Sequence, residues 1–165
     1  MKIRTILIMA AIFFSTLCHA AWYTKVDDDI FSGKKNAMLF GDLNSASSLL
    51  VFDCSPDNLS ISYLEKTTAA EIPPAPIDML VKVDSADVVK FDAIMGRRND
   101  TYMSISAADK DLILTLLSQI KSARNKILLG LQNTSVGMKL SLSTDAQGSS
   151  KAVADFVTAC GITLK

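Results

Sequence analysis

Apolar and polar residues alternate with a period of two along most of the chain, and the period lengthens to that of a helix in only two places. Leu50, Phe52 and Cys54 share one face of a run over Ser48 to Cys54, and Leu59-Ser60-Ile61-Ser62-Tyr63 repeats the alternation after a Ser55-Pro56-Asp57-Asn58 turn. Two such runs around a turn predict a hairpin. Ahead of them, Trp22 to Val26 predicts an edge strand, Asp27 to Lys35 a turn and Ala37 to Phe40 a short strand. Further on, Ile77, Met79, Val81 and Val83 line one face of a strand, and Val89, Phe91 and Ala93 one face of the next. Gly96 to Asp100 reads as a basic turn before a short strand over Thr101 to Ile105. Lys126 to Leu131 is a further strand. Val136, Met138, Leu140 and Leu142 then alternate with Gly, Lys and Ser in the most regular strand of all.

The first helical stretch begins near Ser106-Ala107-Ala108-Asp109, close to a capping box, and carries Leu112, Ile113, Leu116, Leu117 and Ile120 at helical spacing as far as Ala123. The second opens at Gly148-Ser149-Ser150. Its stripe of Val153, Phe156, Val157 and Cys160 follows i, i+3, i+4, i+7, and Gly161 stands where a left-handed helix end belongs. Residues 66 to 76, with Pro73-Pro74-Ala75-Pro76, lack ladder donors and favour an extended loop. The order of elements predicts a mainly β protein with two helices, an α+β chain arranged as a small antiparallel β-sandwich flanked by helices.

The opening residues are of another kind. Lys2 and Arg4 precede an apolar run from Ile6 to Leu17, and Cys18-His19-Ala20 puts small residues at the −3 and −1 positions before Ala21. This pattern predicts a signal peptide over 1–20 and a single domain over 21–165. The run is shorter than the roughly 20 residues of a membrane span, so the processed chain is expected to have none. Leu17 is too bulky for the residue preceding a lipid-bearing Cys18.

Processing changes the composition. The full chain balances 17 basic against 17 acidic residues; losing Lys2 and Arg4 leaves 15 against 17, a net charge of −2, and losing His19 removes the only imidazole. No basic cluster remains to displace counterions from a nucleic acid, so that class of partner is excluded. Without histidine there is no Ser-His-Asp or Cys-His apparatus and no usual zinc site. Cys54 and Cys160 alone survive, an even count in an oxidising compartment. Both lie on core-facing stripes, one on a strand and one on a helix, which predicts a Cys54–Cys160 disulfide. Free catalytic thiols would want C-x-x-C spacing or a neighbouring base.

The remaining candidates for chemistry are weaker than their structural explanations. Asp27-Asp28-Asp29 lacks the looping frame that turns adjacent carboxylates toward one cation, and reads as a solvated turn. An acid pair for glycoside hydrolysis needs two carboxyls facing a cleft, whereas Asp53, Asp84, Asp87 and Asp92 occupy outward strand positions. Arg97-Arg98 could grip a phosphate or carboxylate, or simply cap a hairpin. Met79 and Met138 are in phase with the core. Trp22, Tyr23, Phe31, Phe40 and Tyr63 could form an exposed patch or fill the core. The sequence therefore assigns no catalytic residue, cofactor or metal, and leaves Pro73, Pro74, Pro76, Arg97 and Arg98 as interaction candidates.

Trp22 near the start of the mature chain, Asp29-Ile30-Phe31, Leu50-Val51-Phe52-Asp53-Cys54 with Leu59-Ser60-Ile61, and the final strand and helix ending in Ala159-Cys160 together resemble a family of small exported bacterial proteins. That family is the type VI secretion-associated VasI/TagO kind. Ile30 and Asp53 depart from its usual pattern, and Pro73 to Pro76 and Arg97-Arg98 do not map onto it. The resemblance implies a non-enzymatic envelope accessory, with no catalytic residues to carry over. The expected function is a periplasmic or secreted interaction module that binds an envelope or secreted protein. The alternative is a secreted inhibitor or immunity protein that plugs a cell-wall hydrolase or toxin through Pro73 to Pro76 or Gly96 to Asp100.

Overall fold

The strands come in the expected order, and among the described residues hydrogen bonding joins nine of them into one sheet. The computed structural model describes residues 21–56 and 58–164, so the predicted signal peptide over 1–20 lies outside the described residues. The elements are β1 (Trp22–Asp28), β2 (Lys35–Asp42), β3 (Ser48–Ser55), β4 (Asn58–Lys66), β5 (Ala75–Val83), β6 (Val89–Arg97), β7 (Tyr102–Ala107), α1 (Lys110–Ser122), β8 (Lys126–Asn133), β9 (Met138–Asp145) and α2 (Ser149–Ala159). Neighbours in the sheet run β1-β2-β3-β4-β7-β6-β5-β8-β9, antiparallel throughout.

The period of two puts one face of every strand on a common side. Across the register Thr24 meets Leu39, Leu39 meets Phe52, Phe52 meets Ile61 and Ile61 meets Ala107. Further along, Phe91 meets Met79 and Met79 meets Leu131. The helices cover this face: Ile113, Leu116, Leu117 and Ile120 of α1 and Val153 and Phe156 of α2 are fully buried against it. Phe156 meets Phe52 edge-on at 6.5 Å between ring centroids. The sheet curls around the helices until its two ends meet at one corner, where the Trp22 indole N–H donates to the Asp145 carbonyl at 2.9 Å. Mainly β with two helices is therefore the fold. The expected sandwich of two sheets is replaced by one curled sheet, because β4 continues its ladder into β7 and β5 into β8 without a break.

The disulfide joins Cys54 of β3 to Cys160, the residue that closes α2, with Cα atoms 6.2 Å apart. It fastens the end of the last helix to the sheet. Local details depart from expectation where tertiary pairing decides them. Asp109 itself caps α1 by accepting from the Leu112 N–H at 3.1 Å, since Ser106 belongs to β7. The proline loop ends two residues early, since β5 already begins at Ala75, and Pro76 takes part in β5 before pairing with β8 begins at Asp78.

The largest correction concerns the last hairpin. Val136 lies in the β8–β9 turn, and Met138 and Leu140 remain 37% and 39% exposed. Their phase with the core is right, since Leu140 pairs with buried Leu131. Strand β9 is however the sheet edge, and neither helix packs over it as α2 packs over β1 and β2 or α1 over β4 and β6.

Candidate functional site

Arg97 ends β6 and Arg98 opens the β6–β7 turn, and both guanidinium groups make hydrogen bonds within the molecule. Arg98 holds the Asp53 carboxylate through two bonds, Nη1 to Oδ2 at 2.9 Å and Nη2 to Oδ1 at 2.7 Å. The planar fork matches the carboxylate, and the partner's hydrogen bonds and charge hold Arg98 firmly protonated. Arg97 reaches the other way, donating to the carbonyls of Ala69 and Ala70 and, at 3.2 Å, to that of Asn99. The turn thus ties the 67–74 loop to the sheet and lies against the outer face of β3. On that face Val51, Ser62 and Leu64 are buried, and Ser62 shares a 2.9 Å hydroxyl hydrogen bond with Ser106. Within the molecule these arginines act as clamps, Arg98 on Asp53 and Arg97 on the loop and on Asn99.

Pro73, Pro74 and Pro76 are exposed. Pro76 and Ile94 line a groove of about 240 Å³ with Asp78 and Asn133. Its floor is tied down: Asn133 Nδ2 donates to the Pro76 carbonyl at 3.1 Å, and Asp78 accepts from Gln132 and pairs with Lys90. The Gln132 and Lys90 donors together hold the Asp78 carboxyl below its ordinary range. A wider cleft of about 570 Å³ lies along residues 42–49 with Lys66 and Tyr102. At its margin Ser48 links the Ser45 hydroxyl at 3.2 Å to the Tyr63 phenol at 3.1 Å. Burial pushes the Tyr63 phenol up to about 12. Among the described residues no three His, Cys, Asp or Glu side chains gather as a metal site, and no helix is long and apolar enough to cross a membrane.

The aromatic set divides. Trp22 and Tyr63 are buried, Tyr23 stacks on Phe40 at 4.8 Å on the outer face, and Phe31 stands apart. Ile30 and Phe31 sit in the β1–β2 turn with 84% and 93% of their surface exposed. The turn beneath them is organised by Asp29, which accepts from the Phe31 N–H at 3.0 Å and from the Ser32 hydroxyl at 2.5 Å. The Asp29 amide donates to the Lys34 carbonyl at 2.8 Å, and Gly33 supplies the left-handed residue at φ +68°. The Ser32 and Phe31 hydrogen bonds hold the Asp29 carboxyl below its ordinary range. The structure thus gives the end of the acidic run a role that counting carboxylates missed, because Asp29 binds backbone rather than cation. An apolar pair following a turn-forming Asp was the signal available in the sequence.

No protein family model, curated protein or solved structure matches this chain.

Proposed function

We propose that the protein is a non-enzymatic interaction module of the bacterial periplasm or secreted medium, an accessory of a secretion system that holds an envelope or secreted protein. The observation that carries this reading is the Ile30–Phe31 tip, two large apolar side chains left in water on a turn fixed by Asp29. A preformed turn that presents an aromatic anchor binds with little ordering cost, and aromatic residues are enriched among the energetic centres of protein interfaces. Pro73 and Pro74 supply a second exposed, stiff element. The disulfide supports export, since such bonds persist in oxidising compartments.

The test is photocrosslinking in cells that express the full sequence, with a crosslinking residue at Phe31 or at Pro74. The expected result is one reproducible envelope or secreted protein joined at Phe31, lost in an Ile30→Ser variant that remains folded. Absence of any reproducible adduct at either position overturns the reading. An adduct with a cell-wall hydrolase, together with inhibition of its activity, would establish the inhibitor alternative instead.

A further inference from the structure

Strand β9 is the last of the sheet, and the chain itself shows which of its backbone groups face outward. The Asn44 N–H donates to the Ser143 carbonyl at 2.8 Å, and the Ser143 N–H donates to Asn44 Oδ1 at 3.0 Å. Asn44 thus exchanges two bonds with Ser143 as a residue of a tenth strand would, and Trp22 takes the Asp145 carbonyl in the same direction. In an antiparallel ladder the N–H and C=O of one residue point to the same side, and alternate residues point to opposite sides. If Ser143 and Asp145 face the open edge, so do Ser141 and Lys139, while Leu140 and Leu142 bond to β8. The main-chain groups of Lys139 and Ser141 meet no partner among the described residues. The edge is therefore capped at one end and open over a short window. Beside that window, Met138 and Leu140 hold apolar surface in water on the inner face.

We propose that this window pairs with β9 of a second copy of the chain, antiparallel about a two-fold axis at Leu140. The choice of occupant follows from the strand's self-complementarity. With Leu140 opposite Leu140, each Lys139 faces the partner's Ser141, so both open residues of each edge exchange two main-chain bonds, making four. Met138 then lies opposite the partner's Leu142, apolar against apolar, on the face that continues the core. Centring the axis on Lys139 opposes two like charges. Centring it on Ser141 drives Lys139 against Ser143, whose groups Asn44 already occupies. One register alone uses every open group without repulsion. An unprotected edge is a template for such addition, and β9 has no proline or bulge and a single charge at its exposed centre to discourage it.

Sedimentation equilibrium on the protein produced from the full sequence, over rising concentration, reads the proposal directly. The expected result is a reversible monomer–dimer equilibrium that Leu140→Lys abolishes. Ser141→Glu should tighten the dimer roughly fivefold and Ser141→Lys weaken it by a similar factor, because each places its charge opposite Lys139. Ser141 is exposed, and unchanged thermal unfolding would show that each variant folds. A monomer up to millimolar concentration overturns the proposal, as do assemblies that grow beyond two copies. Equal weakening by Glu and Lys at position 141 overturns the register, since opposite charges facing Lys139 must act with opposite sign.

Discussion

The Trp22 indole packs against Gly41, its partner across the β1–β2 ladder, so closely that a Cβ there would fall 2.7 Å from the ring. Trp22 is buried and tied to the Asp145 carbonyl, so the ring has nowhere to move. Gly41→Ala should therefore destabilise the protein by about 1–3 kcal/mol, the range for overpacking a filled core. Chemical denaturation checks this. Trp22→Phe should cost stability by itself, and combined with Gly41→Ala should lose less than the sum of the two, because the smaller ring vacates the space that the added methyl group needs.

Reduction of Cys54–Cys160, or replacement of both residues by Ala, should lower the denaturation midpoint strongly. The bridge spans 106 residues of sequence. The chain-entropy account gives an upper figure of about 4.7 kcal/mol for a loop near that length. The check is urea unfolding with and without reductant, and in the double Ala variant reductant should have no further effect.

The Arg98–Asp53 pair is part-exposed, with side-chain exposures of 32% and 18%. Its coupling should therefore stay near the upper end of surface pairs, about 0.5–1 kcal/mol in a double-mutant cycle. Arg98→Lys should recover only part of it, because an ammonium cannot match both carboxylate oxygens. Arg97→Ala should instead act locally, raising amide exchange and protease cleavage around Ala69 and Ala70, whose carbonyls it holds.

Acid should weaken the fold through Asp84, Asp78 and Asp29, all held below the ordinary carboxylate range. Asp84 is the most instructive. It takes the left-handed region at φ +47° between β5 and β6, and its carboxylate accepts from the backbone N–H groups of Arg124, Asn125 and Lys126 at the start of β8. A carboxyl whose folded value is depressed contributes fully above its unfolded value, about 4, and loses that contribution as pH falls through the folded value. Stability should thus be level near neutral pH and decline below about pH 4. Asp84→Gly should flatten part of this decline while tolerating the backbone conformation, as measured by thermal unfolding against pH.

At the alkaline end the sign reverses for Tyr63. Burial raises its phenol to about 12, so its neutral form favours the folded state below the unfolded value, about 10, and that contribution is lost as pH rises from there through 12. Tyr63→Phe should remove this limb of the unfolding profile, at the cost of the hydrogen bond with Ser48.

Periodicity alone fixed much of this protein. It placed nine strands and two helices within a few residues of their observed bounds, and put Cys54 and Cys160 on stripes that face the same core. It did so because side-chain direction follows local backbone geometry, with a period of two on strands and 3.6 on helices. What periodicity carries is which side chains share a face; which faces become covered depends on the order of strands in the sheet. Met138 and Leu140 have the right phase and remain exposed because β9 became an edge. Val51 and Leu64 have the outward phase and are buried, on the face where Arg98 reaches Asp53. The two-sheet sandwich gave way to one curled sheet for the same reason, since strand pairing between β4 and β7 or β5 and β8 joins segments far apart in sequence. The long-range roles of Arg97, Arg98, Asp84 and Asn44 likewise arose only in three dimensions, since Ala70, Asp53, Asn125 and Ser143, the partners that define them, lie 27 to 99 residues away. Local chemistry determined the elements and their faces, and long-range pairing decided edges, clamps and the apolar surface left in water.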